Sequence, residues 1–359
     1  MSAVLETRGL VRHFGGGGLF DRQPPVRAVD GVDLSIGRGE TFAIVGESGC
    51  GKSTLARLMA SLLDPTAGQV LFQGQDVAGL QGKAAKDLRR RLQFVFQDPF
   101  SSLNPRASVG TLLGEPIETH APQLSRAARR DRVAEMLVRV GLRPDHMNRY
   151  PHEFSGGQRQ RIGIARALAA GPELVIGDEP VSALDVSVQA QVVNLLGDLK
   201  DEFGLTLVII AHDLAIIRHM SDRIAVMYLG RIVETGTTDA LFAEPRHPYT
   251  RALLAAIPEP VPDRGRRAEP LQGDIPNPAH PPSGCRFRTR CPFAQPLCAE
   301  AVSALVPDDG GHATACHFWP EIAARQPYQG FSTATGRTDA AERRMRLYRQ
   351  AVGGTITDT

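Results

Sequence analysis

The chain has 359 residues, of which 42% are hydrophobic and 22% charged, and its formal net charge is +2. This length accommodates one large domain, or a domain with an appendage. The near-neutral charge argues against a dedicated nucleic-acid surface, because such surfaces are strongly basic. No apolar run approaches the ~18 residues that a membrane span requires, and the N-terminal residues lack the apolar core of a signal peptide. We therefore expect a cytosolic chain.

Short apolar and polar pieces alternate over residues 1–45, which predicts an antiparallel flap. The apolar run at 42–45 predicts a buried strand, and residues 46–54 (Gly-Glu-Ser-Gly-Cys-Gly-Lys-Ser-Thr) fit the pattern G-x-x-x-x-G-K-[ST]. A helical pattern follows at 54–63. In such a strand–loop–helix unit the backbone N–H groups of the loop and the N-terminus of the helix bind phosphate oxygens. The sequence therefore predicts a nucleoside triphosphate site.

A second apolar strand, at 174–179, ends in the carboxylates Asp178 and Glu179. A strand that delivers an aspartate beside the phosphate loop can hold Mg²⁺, shared with the hydroxyl of Ser53. Glu179 would then face the γ-phosphate and could polarise the attacking water. Alone, such a pair more often marks a strand that ends in solvated acids, and it is the phosphate loop upstream that favours the magnesium site.

The run Ser-Gly-Gly-Gln at 155–158 precedes a helical pattern, with Ser155 as the predicted N-cap and two glycines that permit close backbone approach. Alone it is a loop before a helix. In this context it predicts a second phosphate-binding device on a distant surface, so that two chains would sandwich each nucleotide. Two further candidates follow along the chain: Asp185, just past the acids, and His212, at the end of the next predicted strand.

In this order, the motifs resemble those of the ATP-binding subunits of ABC transporters, over about residues 4–255. The resemblance implies an α/β fold, the ABC-type P-loop NTPase, with a RecA-like core, an antiparallel β flap and a helical subdomain at about 98–165. It identifies 46–54 as Walker A, 154–158 as the signature and 174–179 as Walker B. It also implies a head-to-tail dimer that binds two ATP molecules between Walker A of one subunit and the signature of the other.

The resemblance further implies residue roles. Lys52 would contact the β- and γ-phosphates, and Ser53, Gln97 and Asp178 would bind Mg²⁺. Glu179 would be the general base and His212 would hold the γ-phosphate and the water. Adenine would stack on Phe14, where the family more often has tyrosine. The residues implied to bind ATP are Phe14, Gly46, Glu47, Ser48, Gly49, Cys50, Gly51, Lys52, Ser53, Thr54, Gln97, Ser155, Gly156, Gly157, Gln158, Asp178, Asp185 and His212.

The composition changes at Pro258, where a proline-rich stretch begins. Frequent proline predicts an extended, irregular segment rather than more sheet and helix. We therefore predict an ATPase domain at 1–257, a C-terminal extension at 258–326 and a weakly ordered tail at 327–359, with one short helix at 339–351.

The extension holds four of the five cysteines, spaced Cys-x5-Cys-x6-Cys-x17-Cys. A reducing cytosol disfavours disulfides, and structural zinc prefers short Cys-x2–4-Cys knuckles that are absent here. Long, irregular spacers favour a [4Fe–4S] cluster, with zinc and free thiols as alternatives. The fifth cysteine, in the phosphate loop, is expected to point away from the nucleotide. The predicted cluster ligands are Cys285, Cys291, Cys298 and Cys316.

The strings at 247–254, 275–278 and 282–292, with the form of the glutamine loop at 97–105, resemble those of oligopeptide/dipeptide importer ATPases. The resemblance implies a peptide importer that comprises two permeases, a paralogous ATPase and an extracytoplasmic solute-binding protein, with no nucleic-acid partner. The chain would lie on the cytoplasmic face of the inner membrane. Some members of this group transport nickel, glutathione, opines or sugars, and these compounds are alternative substrates. A soluble ABC ATPase of translation or DNA repair is the remote alternative.

Overall fold

A computed structural model describes residues 3–15, 24–98, 102–182, 184–257 and 273–328. The predicted tail at 327–359, with its helix at 339–351, therefore lies almost entirely outside the described residues. Strands within the described part form two sheets, a four-stranded sheet in the order β2-β1-β4-β5 and an eight-stranded sheet in the order β11-β12-β10-β9-β3-β8-β7-β6. The strands are β1 (Ala3–Phe14), β2 (Val26–Gly37), β3 (Thr41–Val45), β4 (Ala67–Phe72), β5 (Gln75–Asp76), β6 (Leu92–Val95), β7 (Leu174–Asp178), β8 (Thr206–Ala211), β9 (Arg223–Tyr228), β10 (Arg231–Thr237), β11 (Val306–Pro307) and β12 (Ala313–Thr314).

Parallel pairing in the larger sheet brings the phosphate loop and the two acids to one edge. Strand β3 pairs in parallel with β8 and β9, and β7 pairs in parallel with β6 and β8. Strands β3, β7 and β8 are buried along their whole length, which explains why their sequences are mostly apolar. Because parallel strands end at the same edge, the residues after Val45, after Ile210 and at Asp178 share one crevice.

Helices cover the larger sheet and build the predicted helical subdomain. The helix that follows the phosphate loop begins at Lys52, directly after Gly51, and ends at Met59, so the predicted span of 54–63 is displaced. The helix ends before the predicted residue 63 because Ser61 takes a left-handed φ of 53°. The helices are α1 (Lys52–Met59), α2 (Gly82–Arg91), α3 (Val109–His120), α4 (Arg126–Arg139), α5 (Gly156–Ala169), α6 (Val186–Phe203), α7 (Leu214–Met220), α8 (Thr238–Ala243), α9 (Pro248–Ala255), α10 (Leu297–Glu300) and α11 (Trp319–Arg325).

Helices α3, α4 and α5 pack together in the region predicted to form the helical subdomain. Ser125 caps α4 by accepting a hydrogen bond from the Ala128 N–H, which fixes the start of the helix. Its apolar face, with Val133 and Leu137, is buried in the core that also contains Val175 of β7. Two short 3-10 helices, Pro144–Asn148 and Pro151–Glu153, connect α4 to α5.

The C-terminal extension packs on the ATPase core and adds strands to the larger sheet, although the sequence predicted an irregular segment. Strand β12 pairs with β10 through Glu234 with Thr314 and Thr235 with Ala313. The elements it adds are short, with α10 and α11 as its helices, and turns connect them. None of the helices within the described ranges is long and apolar enough to span a membrane.

Candidate active site

Glycines allow the phosphate loop to lie against the strands beneath it. Gly46 has a φ of 155°, and a Cβ atom there would stand 2.2 Å from the carbonyl oxygen of Met227. Gly51 has a φ of 109°, and its Cβ would stand 2.0 Å from the carbonyl oxygen of Ala28. Both approaches are closer than any side chain tolerates, so these two positions of the sequence motif require glycine.

Lys52 is buried at the base of the loop. Its ammonium group donates to the carbonyl oxygens of Gly46, at 2.7 Å, and Glu47, at 2.9 Å. Cys50 is also buried, with its Sγ 3.9 Å from Lys52 Nζ, and burial raises the pKa of its thiol. The ammonium group of Lys52 is therefore held inside the loop. It and the loop N–H groups are expected to bind the same phosphates.

Ser53 and Asp178, which were predicted to bind magnesium together, are in direct contact. Ser53 Oγ donates to Asp178 Oδ1 at 2.7 Å, across 125 residues of sequence. Asp178 is only 1% exposed, and this burial raises the pKa of its carboxyl group. A hydroxyl and a carboxylate at the edge of a phosphate loop are the oxygen donors that Mg²⁺ prefers. The two residues therefore fit the metal that the motif implies.

Glu179 lies next to this pair, just beyond the end of β7. Gln97 Nε2 donates to Glu179 Oε2 at 3.1 Å, and His212 Nδ1 lies 3.4 Å from the same oxygen. Glu179 takes a left-handed φ of 46°, an uncommon conformation for a residue with a side chain. This conformation turns the chain immediately after Asp178. The structure thus brings together four predicted site residues from three different strand ends.

The signature residues lie elsewhere on the chain. Ser155 caps α5 by accepting from the Gln158 N–H, and Gln158 Oε1 accepts from the Ser155 N–H in return. A Cβ atom on Gly157 would stand 2.5 Å from Cγ1 of Val188, so the signature packs on the start of α6. Among the described residues, no hydrogen bond joins residues 155–158 to the phosphate loop.

Asp185 lies at the N-cap position of α6, where its carbonyl oxygen accepts from the N–H groups of Val188 and Gln189. Phe14 ends β1 and is half exposed, with the guanidinium carbon of Arg12 at 4.8 Å from its ring centroid. The flap therefore presents this aromatic ring at its surface, as adenine stacking would require.

Two residues at the phosphate loop were not predicted as site residues. Arg290 forms a two-point ion pair with the Glu47 carboxylate, at 2.6 and 3.0 Å, and Tyr249 Oη accepts from the Glu47 N–H at 2.8 Å. Both residues fall in strings that the sequence analysis used only to assign the peptide importer group. The charge of Glu47 was the signal that could have pointed to Arg290. Glu47 is an acid inside an anion-binding loop, and such a carboxylate requires a cation nearby.

The four cysteines of the extension line one small, mostly apolar cavity with His247 and Phe287. All are free thiols, and burial raises the pKa of Cys291 to about 12 and that of Cys316 to about 11. Within the described residues, however, no three or more His, Cys, Asp or Glu side chains are placed to hold a metal ion. The predicted convergence of the cysteines is present, and the predicted metal centre has no support in their arrangement.

Sequence comparisons agree with this geometry. A sequence model of the ABC transporter family matches residues 29–182, and one described as the oligopeptide/dipeptide transporter C-terminal region matches residues 233–298. An oligopeptide transport ATP-binding protein of Salmonella typhimurium is 52% identical over 321 residues, which are 87% of this chain and 95% of the relative. An oligopeptide transport ATP-binding protein of Bacillus subtilis is 52% identical over 322 residues, 88% of this chain and 97% of the relative.

Solved structures give the same result for the ATPase part. A protein of Clostridium perfringens that is part of an ABC transporter complex has a TM-score of 0.58 and 31% identity, over 68% of this chain and 92% of the neighbour. An ATP-binding cassette solved as a dimer with ADP and Pi has a TM-score of 0.59 and 30% identity, over 65% of this chain and 98% of the neighbour.

Proposed function

The chain belongs to the peptide and oligopeptide ABC transporter ATP-binding proteins, and we propose that it hydrolyses ATP to energise the import of di- and oligopeptides. The observation that carries the chemistry is the hydrogen bond of 2.7 Å between Ser53 and Asp178, with Glu179 directly beyond it. The substrate class rests on the names of the relatives and on the C-terminal match.

Phosphate and metal binding are assigned to the loop and the end of β7. Lys52 neutralises charge on the β- and γ-phosphates, and the loop N–H groups bind their oxygens. Ser53, Asp178 and Gln97 would supply oxygen ligands to Mg²⁺. When bound, the metal would neutralise charge that develops on the phosphates.

Glu179 accepts the proton of the attacking water, and Gln97 and His212 orient its carboxylate. The support for this assignment is their shared contact with Glu179 Oε2, at 3.1 and 3.4 Å. Two contacts on one oxygen leave the other carboxylate oxygen available to the water. His212 would also contact the γ-phosphate.

A second subunit completes each site. Ser155 and Gly157 lie away from the phosphate loop of their own chain, so a head-to-tail partner would supply the second phosphate-binding device, with Asp185 beside it. One structural neighbour was itself solved as a dimer with ADP and Pi. The partner proposed here is a paralogous ATPase, which would give a heterodimer.

The complete importer would contain two permeases and an extracytoplasmic solute-binding protein, with this chain on the cytoplasmic face of the inner membrane. Residues 97–105 would contact the permeases. Closure of the dimer on ATP would be transmitted through that contact, and hydrolysis would reverse it, because it removes the γ-phosphate that both subunits bind.

A growth experiment tests the substrate class. Cells that lack this chain should lose growth on di- or oligopeptides as the source of a required amino acid, and the intact gene should restore it. The Lys52→Ala form should not restore growth. Undiminished peptide growth, with loss of nickel, glutathione, opine or sugar uptake instead, would reassign the substrate and leave the ATPase assignment intact.

The metal centre of the extension is a separate proposal. It rests on the number and spacing in the sequence of Cys285, Cys291, Cys298 and Cys316, which line one cavity, and four thiolates would suit a [4Fe–4S] cluster. Protein purified without oxygen should then contain about four irons per chain and absorb near 400 nm. Stoichiometric zinc would replace the cluster with a structural zinc site, and metal-free protein would establish free thiols.

A further inference from the structure

The ion pair between Arg290 and Glu47 joins the C-terminal extension to the phosphate loop. The two guanidinium–carboxylate contacts are 2.6 and 3.0 Å long, and the Arg290 side chain is only 5% exposed. A two-point pair fixes orientation as well as distance. Because one partner is almost fully buried, loss of either charge would leave the other poorly compensated. The contact therefore constrains the loop far more than an exposed ion pair would.

Glu47 also contacts Lys52, the lysine proposed to bind phosphate, so the ion pair constrains the position of this lysine. Its carbonyl oxygen accepts from Lys52 Nζ at 2.9 Å, while its N–H donates to Tyr249 Oη at 2.8 Å. Glu47 is thus held at its side chain, its carbonyl and its N–H by three different residues. A change at the side chain moves the carbonyl on which the lysine rests. Arg290 and Lys52 are coupled through this single residue.

The segment that carries Arg290 is itself firmly held. The Arg290 N–H donates to the Phe287 carbonyl at 2.9 Å, closing a tight turn. The Phe287 ring is 1% exposed and lies 5.3 Å from the ring of Tyr228 and 5.3 Å from the ring of Tyr249. Aromatic packing of this kind anchors the turn on the ATPase core. The position of the guanidinium is therefore set by the fold of the extension.

We infer that Arg290 is a positioning residue that acts through Glu47, so that the C-terminal extension sets the nucleotide affinity of the phosphate loop in its own subunit. The inference rests on the proposed role of residues 46–54 in phosphate binding. It gives the extension a function in the ATPase cycle that needs no metal. Any event that displaces the turn at 287–290 would weaken nucleotide binding at the loop.

A double-mutant cycle on the full-length chain tests the coupling, with AMP-PNP and Mg²⁺ as the probe and calorimetry as the measurement. Arg290→Gln and Glu47→Gln should each raise the Kd about tenfold, and the double variant should bind no more weakly than either single variant. Arg290→Lys, which keeps the charge and loses the two-point geometry, should fall between wild type and Arg290→Gln.

Arg288→Gln is the matched control. Arg288 lies in the same turn, and among the described residues its side chain donates to Ser283, within the extension, so its loss removes the same charge without touching the loop. Its Kd should equal that of the wild type. Equal weakening by Arg288→Gln and Arg290→Gln, or fully additive effects of Arg290→Gln and Glu47→Gln, would overturn the inference.

Lys52→Ala separates this inference from the function on which it rests. Loss of AMP-PNP binding in Lys52→Ala, with wild-type binding in a folded Arg290→Gln, would sink the positioning role alone. Retained binding in Lys52→Ala would sink the assignment of the phosphate loop. Thermal unfolding without nucleotide shows whether each variant is folded; if Arg290→Gln is not, Glu47→Gln and Arg290→Lys decide, and wild-type binding in both overturns the inference.

Discussion

Ser53 Oγ donates a hydrogen bond of 2.7 Å to Asp178 Oδ1, and this contact joins the phosphate loop to the end of strand β7. The carboxyl group is buried, and burial raises its pKa above the ordinary value of 3.8. A group with a raised pKa in the folded state stabilises the fold at low pH and loses that contribution as the pH rises through the folded pKa. The ionised carboxylate of Asp178 therefore lowers the stability of the fold at neutral pH, at a position that we propose binds Mg²⁺.

We expect Asp178→Asn to separate the effect of the buried carboxylate on stability from its proposed role in binding Mg²⁺. Asparagine keeps an oxygen that accepts from Ser53 and removes the buried charge, so the unfolding midpoint of the nucleotide-free chain at pH 7 should rise. Mg²⁺-dependent turnover should fall more than tenfold, because a carboxylate ligand is lost. Asp198→Asn, at an exposed position of α6, is the control for stability and should leave the midpoint unchanged. A lower midpoint in Asp178→Asn would contradict the account.

Glu179→Gln tests the general base. Glutamine keeps the shape and can still bond to Gln97 and His212, but it cannot accept the proton of water. In the assembled transporter, ATP binding should persist while turnover falls by roughly 10²-fold or more. Binding and turnover are measured on the same preparation. Turnover near that of the wild type would remove Glu179 from this role.

Glu173 provides a prediction on the pH dependence of stability. Hydrogen bonds from Arg91 lower its pKa from 4.5 to about 2, with help from Arg38 and Gln73. The carboxylate therefore stabilises the fold above its unfolded pKa, and this contribution is lost as the pH falls through about 2. Compared with Glu173→Gln, the wild type should be more stable at pH 7 by about 1 kcal/mol, since solvent screens the pair.

The difference in unfolding free energy between wild type and Glu173→Gln should shrink steadily below about pH 5. Glu118→Gln is the matched control, because the Glu118 side chain is 68% exposed and its carboxylate pairs with Arg129 at the surface. The unfolding free energy of Glu118→Gln should stay within about 0.5 kcal/mol of the wild-type value at every pH. A Glu173→Gln difference that does not change with pH would show that the pair contributes nothing.

We expect this chain to need its partner subunits for full ATPase activity. The phosphate loop and the signature are both intact, so this chain can furnish both halves of a composite site. Its ATPase rate alone should nevertheless stay well below that of the complex, because closure requires a paralogous partner and the permeases. Rates are compared per subunit at equal protein concentration. A stable homodimer with the rate of the complete complex would count against the heterodimer.

Much of the site could be predicted from sequence because its residues act through backbone geometry. The glycines at 46 and 51 are required by contacts below 2.5 Å, and such requirements leave a fixed spacing in the chain. The two acids were predictable because of the phosphate loop upstream, since alone a buried strand that ends in carboxylates more often marks a strand that ends in solvated acids. Ser155 could be predicted as a cap because capping depends on neighbours in sequence.

The role of Arg290 could not be predicted in this way. Its partner is 243 residues away, and no periodic pattern relates the two positions. The same holds for Glu234, a buried carboxylate that accepts from the N–H groups of Arg246 and His247 and lies 2.7 Å from His312. The contacts of Arg290 with Glu47 and of His312 with Glu234 attach the extension to the core.

ATP-driven peptide accumulation in proteoliposomes tests the central claim most directly. The vesicles would contain the two permeases, both ATPases and the solute-binding protein, with ATP supplied on the side of the ATPases. We predict that labelled oligopeptide accumulates only with ATP and Mg²⁺, and that Lys52→Ala in this chain abolishes accumulation. Accumulation that continues at the wild-type rate with Lys52→Ala would contradict the claim that this chain binds and hydrolyses the ATP that drives import.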